Sequence, residues 1–310
     1  MFFLRLLFFL ISKISLIYID FIFKRSSLSK RQKISNYILT KLEHLNLSIF
    51  KAWNYRINIL YDNDNFFSLY EVGKNIFLYT PNTNRFKKIL GNTKYKNQAE
   101  VIYNLIINET PTIVDIGSYI GEVSIFFAKN KPRSKVFSFE ASKKNFNIQK
   151  KNINLNNIKN IDLHNKIVDR DNNSFKYVSE SYGSENFISN QEKQNFSKID
   201  KISLSKISKE YNISYIDYLK IDIENSLYNL TEDIIYLIEN KKIGIMNLGF
   251  EKTDYENLKK LINFVCKKTE IYKINYAEGF LKKISYETFK ETLLSKLPSN
   301  AGEYLFKVNG

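Results

Sequence analysis

Residues 112–121 constrain the fold of this chain more than any other segment, because an apolar strand pattern there runs into an acid and a turn that contains glycines. Ile113 and Val114 are β-branched and typical of a buried strand. Gly117 permits a sharp turn, and Gly121 permits close packing of the helix that follows. The pattern indicates the first strand-turn-helix unit of an α/β fold.

A second strand pattern, Lys135 to Phe139, ends on Glu140, 25 residues after Asp115. An acid at this strand tip commonly accepts hydrogen bonds from ribose hydroxyls. The run Asp-x-Gly-x-x-x-Gly lacks one glycine of the pyrophosphate cradle, and its carboxylate repels phosphate and attracts cations. We therefore predict an adenosine cofactor with an amine and a sulfonium, S-adenosylmethionine. A plain strand-to-helix turn without a cofactor is the alternative.

Four ordered segments resemble the FkbM family of S-adenosylmethionine-dependent methyltransferases, across roughly residues 85 to 255. They are Val-Asp-Ile-Gly-Ser-Tyr-Ile-Gly-Glu-Val-Ser (114–124), Val-Phe-Ser-Phe-Glu-Ala-Ser-Lys-Lys-Asn-Phe (136–146), the pair Asn152 and Asn156, and Tyr-Leu-Lys-Ile-Asp-Ile-Glu-Asn (218–225). The resemblance implies a Rossmann-like class I methyltransferase fold. It also implies O-methylation of a hydroxyl-bearing acceptor, such as a sugar, a polysaccharide or a secondary metabolite, which amounts to glycan modification in the first two cases.

The resemblance also implies roles for individual residues. The predicted cofactor-binding residues are Asp115, Gly117, Ser118 and Gly121 in the turn, around the methionine part, and Glu140 on the ribose. The predicted catalytic residues are Asp222 and Glu224, near the reacting methyl group. Topology favours the same two acids, because they follow a buried strand pattern and open α/β sheets bind ligands beyond the carboxyl ends of strands. For Glu224, capping of the next helix or pairing with a lysine is an equal alternative.

The chain departs from the family pattern within the motifs themselves. Family members usually have Gly-Ala-Asn where this chain has Ser118 and Tyr119, and Phe-Glu-Pro where it has Ala141. They also have Glu-Gly-x-Glu where it has Asn225 and Leu227. Loss of the second glutamate bears on acceptor specificity or on activity. Two other functions therefore stay open: a catalytically impaired, methyltransferase-like binding protein, and a nicotinamide-dependent dehydrogenase, against which the missing phosphate cradle argues.

Composition excludes several classes of function. The net charge is +15, but the 47 basic residues include only seven arginines, and phosphate and base recognition favours arginine, so we expect no nucleic-acid partner. A lone cysteine, Cys266, excludes an intramolecular disulfide. The two histidines, His44 and His164, lack neighbouring thiols or acids at ligand spacing, so no metal site is predicted.

Residues 1–23 are predominantly apolar, and their polar residues gather on one helical stripe, which predicts an amphipathic helix rather than a spanning one. Basic residues continue to position 33. Residues 1–33 therefore fit contact with a membrane surface, although packing on the protein's own domain fits equally well. No signal-peptide cleavage site is evident, so the prediction is a cytoplasmic protein, peripheral to the inner membrane face if the first reading holds.

The alternation of strand and helix patterns predicts a seven-stranded, mostly parallel sheet that ends in an antiparallel pair. We place an N-terminal extension at residues 1–84, with an amphipathic helix, a second helix and a β-hairpin around Gly73. The methyltransferase-like domain is predicted at residues 85–310. Within it, the polar stretch 169–198 is expected to form an inserted hairpin near Lys176, Tyr177 and Gly183 that borders the acceptor.

Overall fold

The structure is a computed structural model. It describes residues 60–62, 65–71, 76–81, 98–170, 175–179, 188–189, 191, 193–223, 226–250, 255–275, 279–294 and 302–309. The chain divides into two compact units, Met1–Tyr70 and Glu71–Gly310. The first unit contains strand β1 (Leu60–Asp62) and all but the last residue of strand β2 (Asn65–Glu71), and these two strands pair antiparallel.

The second unit alternates strands and helices. Its strands are β3 (Phe77–Pro81), β4 (Thr112–Ile116), β5 (Lys135–Phe139), β6 (Ile161–His164), β7 (Ile167–Val168), β8 (Phe175–Ser179), β9 (Ile188–Ser189), β10 (Phe196–Ile202), β11 (Ile216–Ile221), β12 (Ile243–Phe250), β13 (Thr269–Asn275), β14 (Phe280–Ile284) and β15 (Gly302–Val308). Its α-helices are α1 (Gln98–Ile102), α2 (Glu122–Asn130), α3 (Lys143–Leu155), α4 (Leu204–Glu210), α5 (Thr231–Glu239), α6 (Tyr255–Lys268) and α7 (Tyr286–Leu294), and 3₁₀ turns cover Tyr103–Leu105 and Leu227–Leu230.

The central sheet has the strand order β14-β13-β15-β12-β11-β4-β5-β6. Strands β12, β11, β4, β5 and β6 are parallel neighbours, and β15 runs antiparallel to both β12 and β13. The predicted α/β Rossmann-like fold is confirmed. The chain moves outward from β4 to β6 and later returns to β11 on the other side of β4, so the strand order reverses at the carboxyl ends of β4 and β11, where such sheets bind ligands.

The predicted strand count of seven is wrong, because eight strands of the described residues form this sheet. The additional strand is β14, which pairs antiparallel with β13. Its sequence, Phe-Leu-Lys-Lys-Ile, does not alternate between apolar and polar residues, and both lysines are exposed. Short, charged edge strands of this kind avoid aggregation but carry a weak sequence signal.

Successive rows of side chains across the sheet differ in chemistry. One row, in register across five strands, is apolar and buried: Phe137, Val114, Leu219, Met246 and Phe306. Successive residues of a strand point to opposite faces, so the next row lies on the other face. That row is polar and buried: Ser138, Asp115, Lys220 and Asn247. The polar row lies one residue from the carboxyl end of β4.

A smaller sheet, β7-β10-β8-β9, is inserted after β6. Strands β8 and β9 pair antiparallel through Tyr177 and Ser189, as the predicted hairpin requires, although its turn near Gly183 lies outside the described residues. Strand β10 and helix α4 were not predicted. Their sequence, Phe196 to Glu210, is rich in serine and lysine, and tertiary pairing with β7 and β8 overrides its weak strand propensity.

Several predictions for the N-terminal part stay predictions. Residues 1–59, which include the predicted amphipathic helix, lie outside the described residues, as does the predicted domain boundary at residue 84. A strand lies on each side of the predicted turn at residues 73–75, which itself is not described.

In the part of the chain that the structure describes, we find no helix with the length and apolar character needed to cross a membrane.

Candidate active site

The turn after β4 has three residues with left-handed backbone conformations: Gly117 (φ 75°), Tyr119 (φ 53°) and Gly121 (φ 88°). A Cβ atom at Gly117 would lie 2.1 Å from the backbone oxygen of Asp222, so only glycine fits between β4 and β11 here. Tyr119 stands where family members usually have Asn, a residue that tolerates this conformation better. The departure at Tyr119 therefore places a strained aromatic residue at the centre of the turn.

Hydrogen bonds fix the turn to strand β5. The backbone N–H groups of Gly117 and Ser118 both donate to the carbonyl oxygen of Phe139, at 3.0 and 3.1 Å. The Ser118 hydroxyl donates to Gln149 Oε1 at 2.8 Å, and Gln149 Nε2 donates to Ser138 Oγ at 2.6 Å. The turn is thus held in one geometry by groups on β5 and α3.

Glu140 follows β5 and is 7% exposed. Its Oε2 accepts a hydrogen bond from the backbone N–H of Tyr119 at 2.8 Å. Its Oε1 accepts from the N–H of Ser142 at 2.9 Å and from Asn145 Nδ2 at 3.5 Å. Burial raises the pKa of Glu140 to about 7 despite these three donors. A carboxyl group that titrates near neutrality therefore lies directly beside the glycine turn.

Asp115, which we expected near the methionine part of the cofactor, is fully buried beneath the turn. Its Oδ2 accepts a hydrogen bond from Ser124 Oγ at 2.6 Å, and its Oδ1 has no hydrogen-bond partner. Burial raises the pKa of Asp115, which Lys220 and Ser124 partly oppose. Its predicted cofactor contact stays a prediction, but its carboxyl group reaches the turn only through other side chains.

Lys220 lies beneath the same turn and is 6% exposed. Its Nζ is 3.2 Å from Asp222 Oδ2, 3.4 Å from the carbonyl oxygen of Gly117 and 3.8 Å from Asp115 Oδ1. Burial alone would lower the pKa of Lys220, but Asp222, Asp115 and Glu303 together raise it. The neighbouring carboxylates therefore favour the charged form of this lysine, whose burial a single strand pattern does not reveal.

Asp222 directly follows β11, and its side chain is 48% exposed. Its backbone N–H donates to the carbonyl oxygen of Ile116 at 3.0 Å, which ties it to β4. A Cβ atom at Gly249 on β12 would lie 3.1 Å from Asp222 Oδ1, so this glycine gives the carboxylate its space. The other predicted catalytic acid, Glu224, lies outside the described residues together with Asn225.

Sequence reasoning found the carboxyl groups but missed the polar residues that join them. Ser124 Oγ lies 3.0 Å from Ser138 Oγ, and with Gln149 it completes a hydrogen-bonded layer under the turn. Asn247, the next member of the polar row, donates to Glu303 Oε2 at 2.9 Å. The usable signal was polar residues at matching positions of neighbouring strands, just before each carboxyl end.

The structure brings five predicted residues and Asp222 to one edge of the sheet: Asp115, Gly117, Ser118, Gly121 and Glu140. Among the described residues, no group of acids, histidines and cysteines could hold a metal ion. The arrangement offers a preorganised turn, a near-neutral carboxyl group and a half-exposed carboxylate next to an ammonium.

Comparison with known protein families gives a match for the central part of the chain. Residues 115–264, from Asp115 of the first motif into helix α6, match the family described as Methyltransferase FkbM domain. A search of curated proteins finds no significant match.

Solved structures give distant likenesses. A putative O-methyltransferase from Klebsiella pneumoniae matches at 11% identity and TM-score 0.40, covering 69% of this chain and 80% of that one. A putative rRNA-methylase from Clostridium thermocellum matches at 10% identity and TM-score 0.40, covering 69% and 94%. At these TM-scores the likenesses say nothing about substrate. Residues 115–264 thus match the Methyltransferase FkbM domain, and this match indicates a methyltransferase.

Proposed function

We propose that the chain transfers the methyl group of S-adenosylmethionine to a hydroxyl of a sugar, a polysaccharide or a secondary metabolite. The observation that carries the proposal is Glu140, a buried carboxyl group hydrogen-bonded to the turn residue Tyr119. Carboxylates at this strand tip bind ribose hydroxyls in nucleotide-binding α/β folds. Asp222 supplies an acid on the other side of β4.

The described residues fit this cofactor. Glu140 keeps about one acceptor site for a ribose hydroxyl, since a carboxylate offers about four such sites and three donors occupy it. The N–H groups of Gly117 and Ser118 both donate to Phe139, so these two amides are not available to a pyrophosphate. The site therefore suits a phosphate-free nucleoside better than a dinucleotide.

S-adenosylmethionine, when bound, supplies an electrophilic methyl group. The protein's own part is to bind, align and exclude water, because in-line displacement gains much of its rate from alignment. Gly117 and Gly121 allow the turn to lie close to β11 and α3. Glu140 orients the ribose, and Asp222 accepts or orients the proton of the acceptor hydroxyl. Glu224, two residues further along the chain, is proposed to assist Asp222.

Calorimetry tests the cofactor proposal. We expect heat signals with S-adenosylmethionine and with S-adenosylhomocysteine, and none with NAD. Equal or stronger binding of NAD would contradict the proposal and favour a dehydrogenase. Product mass spectrometry with a panel of sugar and polysaccharide acceptors tests O-methylation, and the expected result is a gain of one CH₂ group in mass at a hydroxyl.

One observation favours a second candidate, a binding protein without turnover. Leu227 stands where the family usually has its second glutamate, and it is 2% exposed within the hydrophobic core. That position therefore supplies no acid to the site. A binding protein would retain affinity for S-adenosylhomocysteine and show no methyl transfer to any acceptor, whereas the proposed enzyme shows both.

We also propose that residues 1–33 contact an anionic membrane surface from the cytoplasmic side, since their apolar stripe and basic residues suit one. Flotation with vesicles of phosphatidylserine and phosphatidylcholine tests this proposal. Full-length protein is expected to float, and a truncation to residues 34–310 is not. Equal flotation with a lower melting temperature of the truncated protein would assign the segment to the fold.

A further inference from the structure

The ammonium of Lys220 is the charge closest to the glycine turn whose role the proposed function leaves open. It is buried, and its Nζ lies within 3.4 Å of both the Gly117 carbonyl oxygen and the Asp222 carboxylate. A buried charge is retained only when it is compensated. Asp115 behind it and Asp222 in front of it provide that compensation.

The three charged groups are arranged by depth. Asp115 is fully buried, Lys220 is almost fully buried, and the side chain of Asp222 is 48% exposed. The carboxylate that a ligand meets first is therefore backed by a positive charge. The Gly117 carbonyl contact places this ammonium beside the turn around which the family resemblance implies the methionine part of the cofactor.

We propose that Lys220 sets the charge that the site presents to the sulfonium of the cofactor, and thereby determines how well the protein discriminates between the cationic cofactor and its neutral, demethylated product. This inference rests on the proposed function. Asp222 attracts the sulfonium, and the ammonium of Lys220 cancels part of this attraction. Asp115 is a positioning residue that holds the ammonium in place.

The charge of Lys220 affects how tightly the site binds the reactant before methyl transfer. A site with an unopposed carboxylate would bind the charged cofactor far more tightly than the neutral product, but it would also hold the reactant in its ground state. Only interactions that strengthen in the transition state accelerate transfer. A nearby ammonium reduces ground-state attraction to the sulfonium, whose positive charge disperses as the methyl group leaves. Lys220 is thus a positioning and specificity residue.

The test compares two ligands that differ by one charge. The affinity ratio of S-adenosylmethionine to S-adenosylhomocysteine is measured by calorimetry for wild type, Lys220→Met, Lys220→Arg and Asp222→Asn. In Lys220→Met, the buried Asp115 takes up a proton, so the variant loses both the ammonium and the carboxylate behind it. The ammonium lies next to Asp222 and Asp115 lies deeper, so loss of the ammonium has the larger effect at the ligand. The affinity for S-adenosylmethionine relative to S-adenosylhomocysteine should then rise about threefold to tenfold.

One further variant should change the affinity ratio in the opposite direction, and two others serve as controls. Asp222→Asn should shift the ratio by a similar factor toward the product, and Lys220→Arg, which keeps the charge, should stay near the wild-type ratio. Lys131→Met is the matched control, because Lys131 is equally buried but follows α2 at the end remote from the turn, where its Nζ donates to the carbonyl oxygen of Asn108 at 3.2 Å.

Each outcome bears on the inference. If Lys220 has a purely structural role, its substitution weakens binding of both ligands equally and leaves every affinity ratio unchanged. That result would overturn the inference. If Lys220→Met does not fold, an unchanged ratio in Asp222→Asn, whose altered side chain is half-exposed, overturns it equally. Failure of wild type to bind either ligand would instead reject the proposed function on which the inference rests.

Discussion

Glu140 and Asp222 follow the strands on either side of β4, yet their surroundings differ in kind. Glu140 is 7% exposed, and three donors hold its carboxylate in place. The Asp222 side chain is 48% exposed and pairs with the ammonium of Lys220. The proposed cofactor side is held by hydrogen bonds before any ligand arrives, whereas the proposed acceptor side leaves its acid accessible.

This difference separates two tasks. A cofactor has a fixed shape, so its site gains affinity when hydrogen bonds hold the protein groups in the binding geometry beforehand. An acceptor hydroxyl must approach, lose its proton and leave, which requires an accessible group with room to move. Substitutions on the cofactor side should therefore affect binding and folding, and those on the acceptor side should affect turnover.

The largest expected effect is on turnover. Asp222→Asn keeps the shape of the side chain but removes its charge, so loss of a general base predicts a rate decrease of about 10²–10⁴-fold. Cofactor affinity should change only severalfold, because the exchange removes one charge near the ligand. Rates are measured as release of S-adenosylhomocysteine with an acceptor identified by product mass spectrometry.

The matched control for this variant is Glu303→Gln, which also removes a carboxylate near Lys220 but lies on β15. We expect less than a tenfold change in its rate. Turnover by Asp222→Asn within a factor of three of wild type would contradict the assignment of Asp222 as the base. Glu224 would then be the next candidate for that role.

The same comparison shows what the sequence could predict. The cofactor side consists of local signals: Gly117 and Gly121 in one turn and Glu140 at one strand tip, and the structure places all three together. The environment of Asp222 depends on neighbours distant in sequence, such as Gly249, and on the burial of Lys220, which a single strand pattern does not reveal. The eighth strand was missed for a related reason, since its stability comes from pairing with β13.

The second-largest effect concerns folding of the turn. Gly117→Ala would place a Cβ atom 2.1 Å from the backbone oxygen of Asp222 and force a left-handed conformation on alanine. We expect the free energy of unfolding to fall by about 3 kcal/mol or more, measured by urea denaturation. A Cβ atom at Gly302 would meet nothing within 4 Å, so Gly302→Ala should stay within about 0.5 kcal/mol of wild type.

A comparable loss of stability in both glycine variants would show that alanine is tolerated as well in the turn as at an open strand position. The turn after β4 would then not lie as close to β11.

Gly249→Ala sharpens the comparison between the two sides. Its Cβ atom would press on Asp222 Oδ1 from 3.1 Å without backbone strain, so turnover should fall more than stability does.

The third prediction concerns cofactor affinity. Glu140→Ala removes the charged acceptor for the ribose hydroxyls and should weaken binding of S-adenosylhomocysteine by about 1.5–3 kcal/mol, measured by calorimetry. Ser142→Ala is a useful control, because it leaves the backbone N–H that donates to Glu140 in place and removes only the hydroxyl that caps α3. Equal affinity of Glu140→Ala and wild type would place the ribose elsewhere.

The smallest effect, and the most specific, is on the pH dependence of binding. The pKa of Glu140 is raised to about 7 by burial, with the N–H groups of Ser142 and Tyr119, Asn145 and the charge of Lys220 opposing the shift. Ribose hydroxyls donate to the ionised carboxylate, so binding favours the charged form. As the pH falls below about 7, the ligand-free protein takes up a proton that binding must displace. Affinity for S-adenosylhomocysteine should then fall by up to about tenfold per pH unit.

Stability of the ligand-free protein should move in the opposite direction. Because the folded pKa of Glu140 lies above its ordinary value of 4.5, its contribution to stability is fully present below pH 4.5 and is lost as the pH rises through about 7. Glu140→Gln cannot titrate, so both pH dependences should flatten in this variant, and the ligand's own amine is common to both proteins. If wild type and Glu140→Gln gave parallel pH profiles of affinity, the carboxyl group that follows β5 would not be the ribose acceptor. The proposal that this side of the site binds the cofactor would then be contradicted.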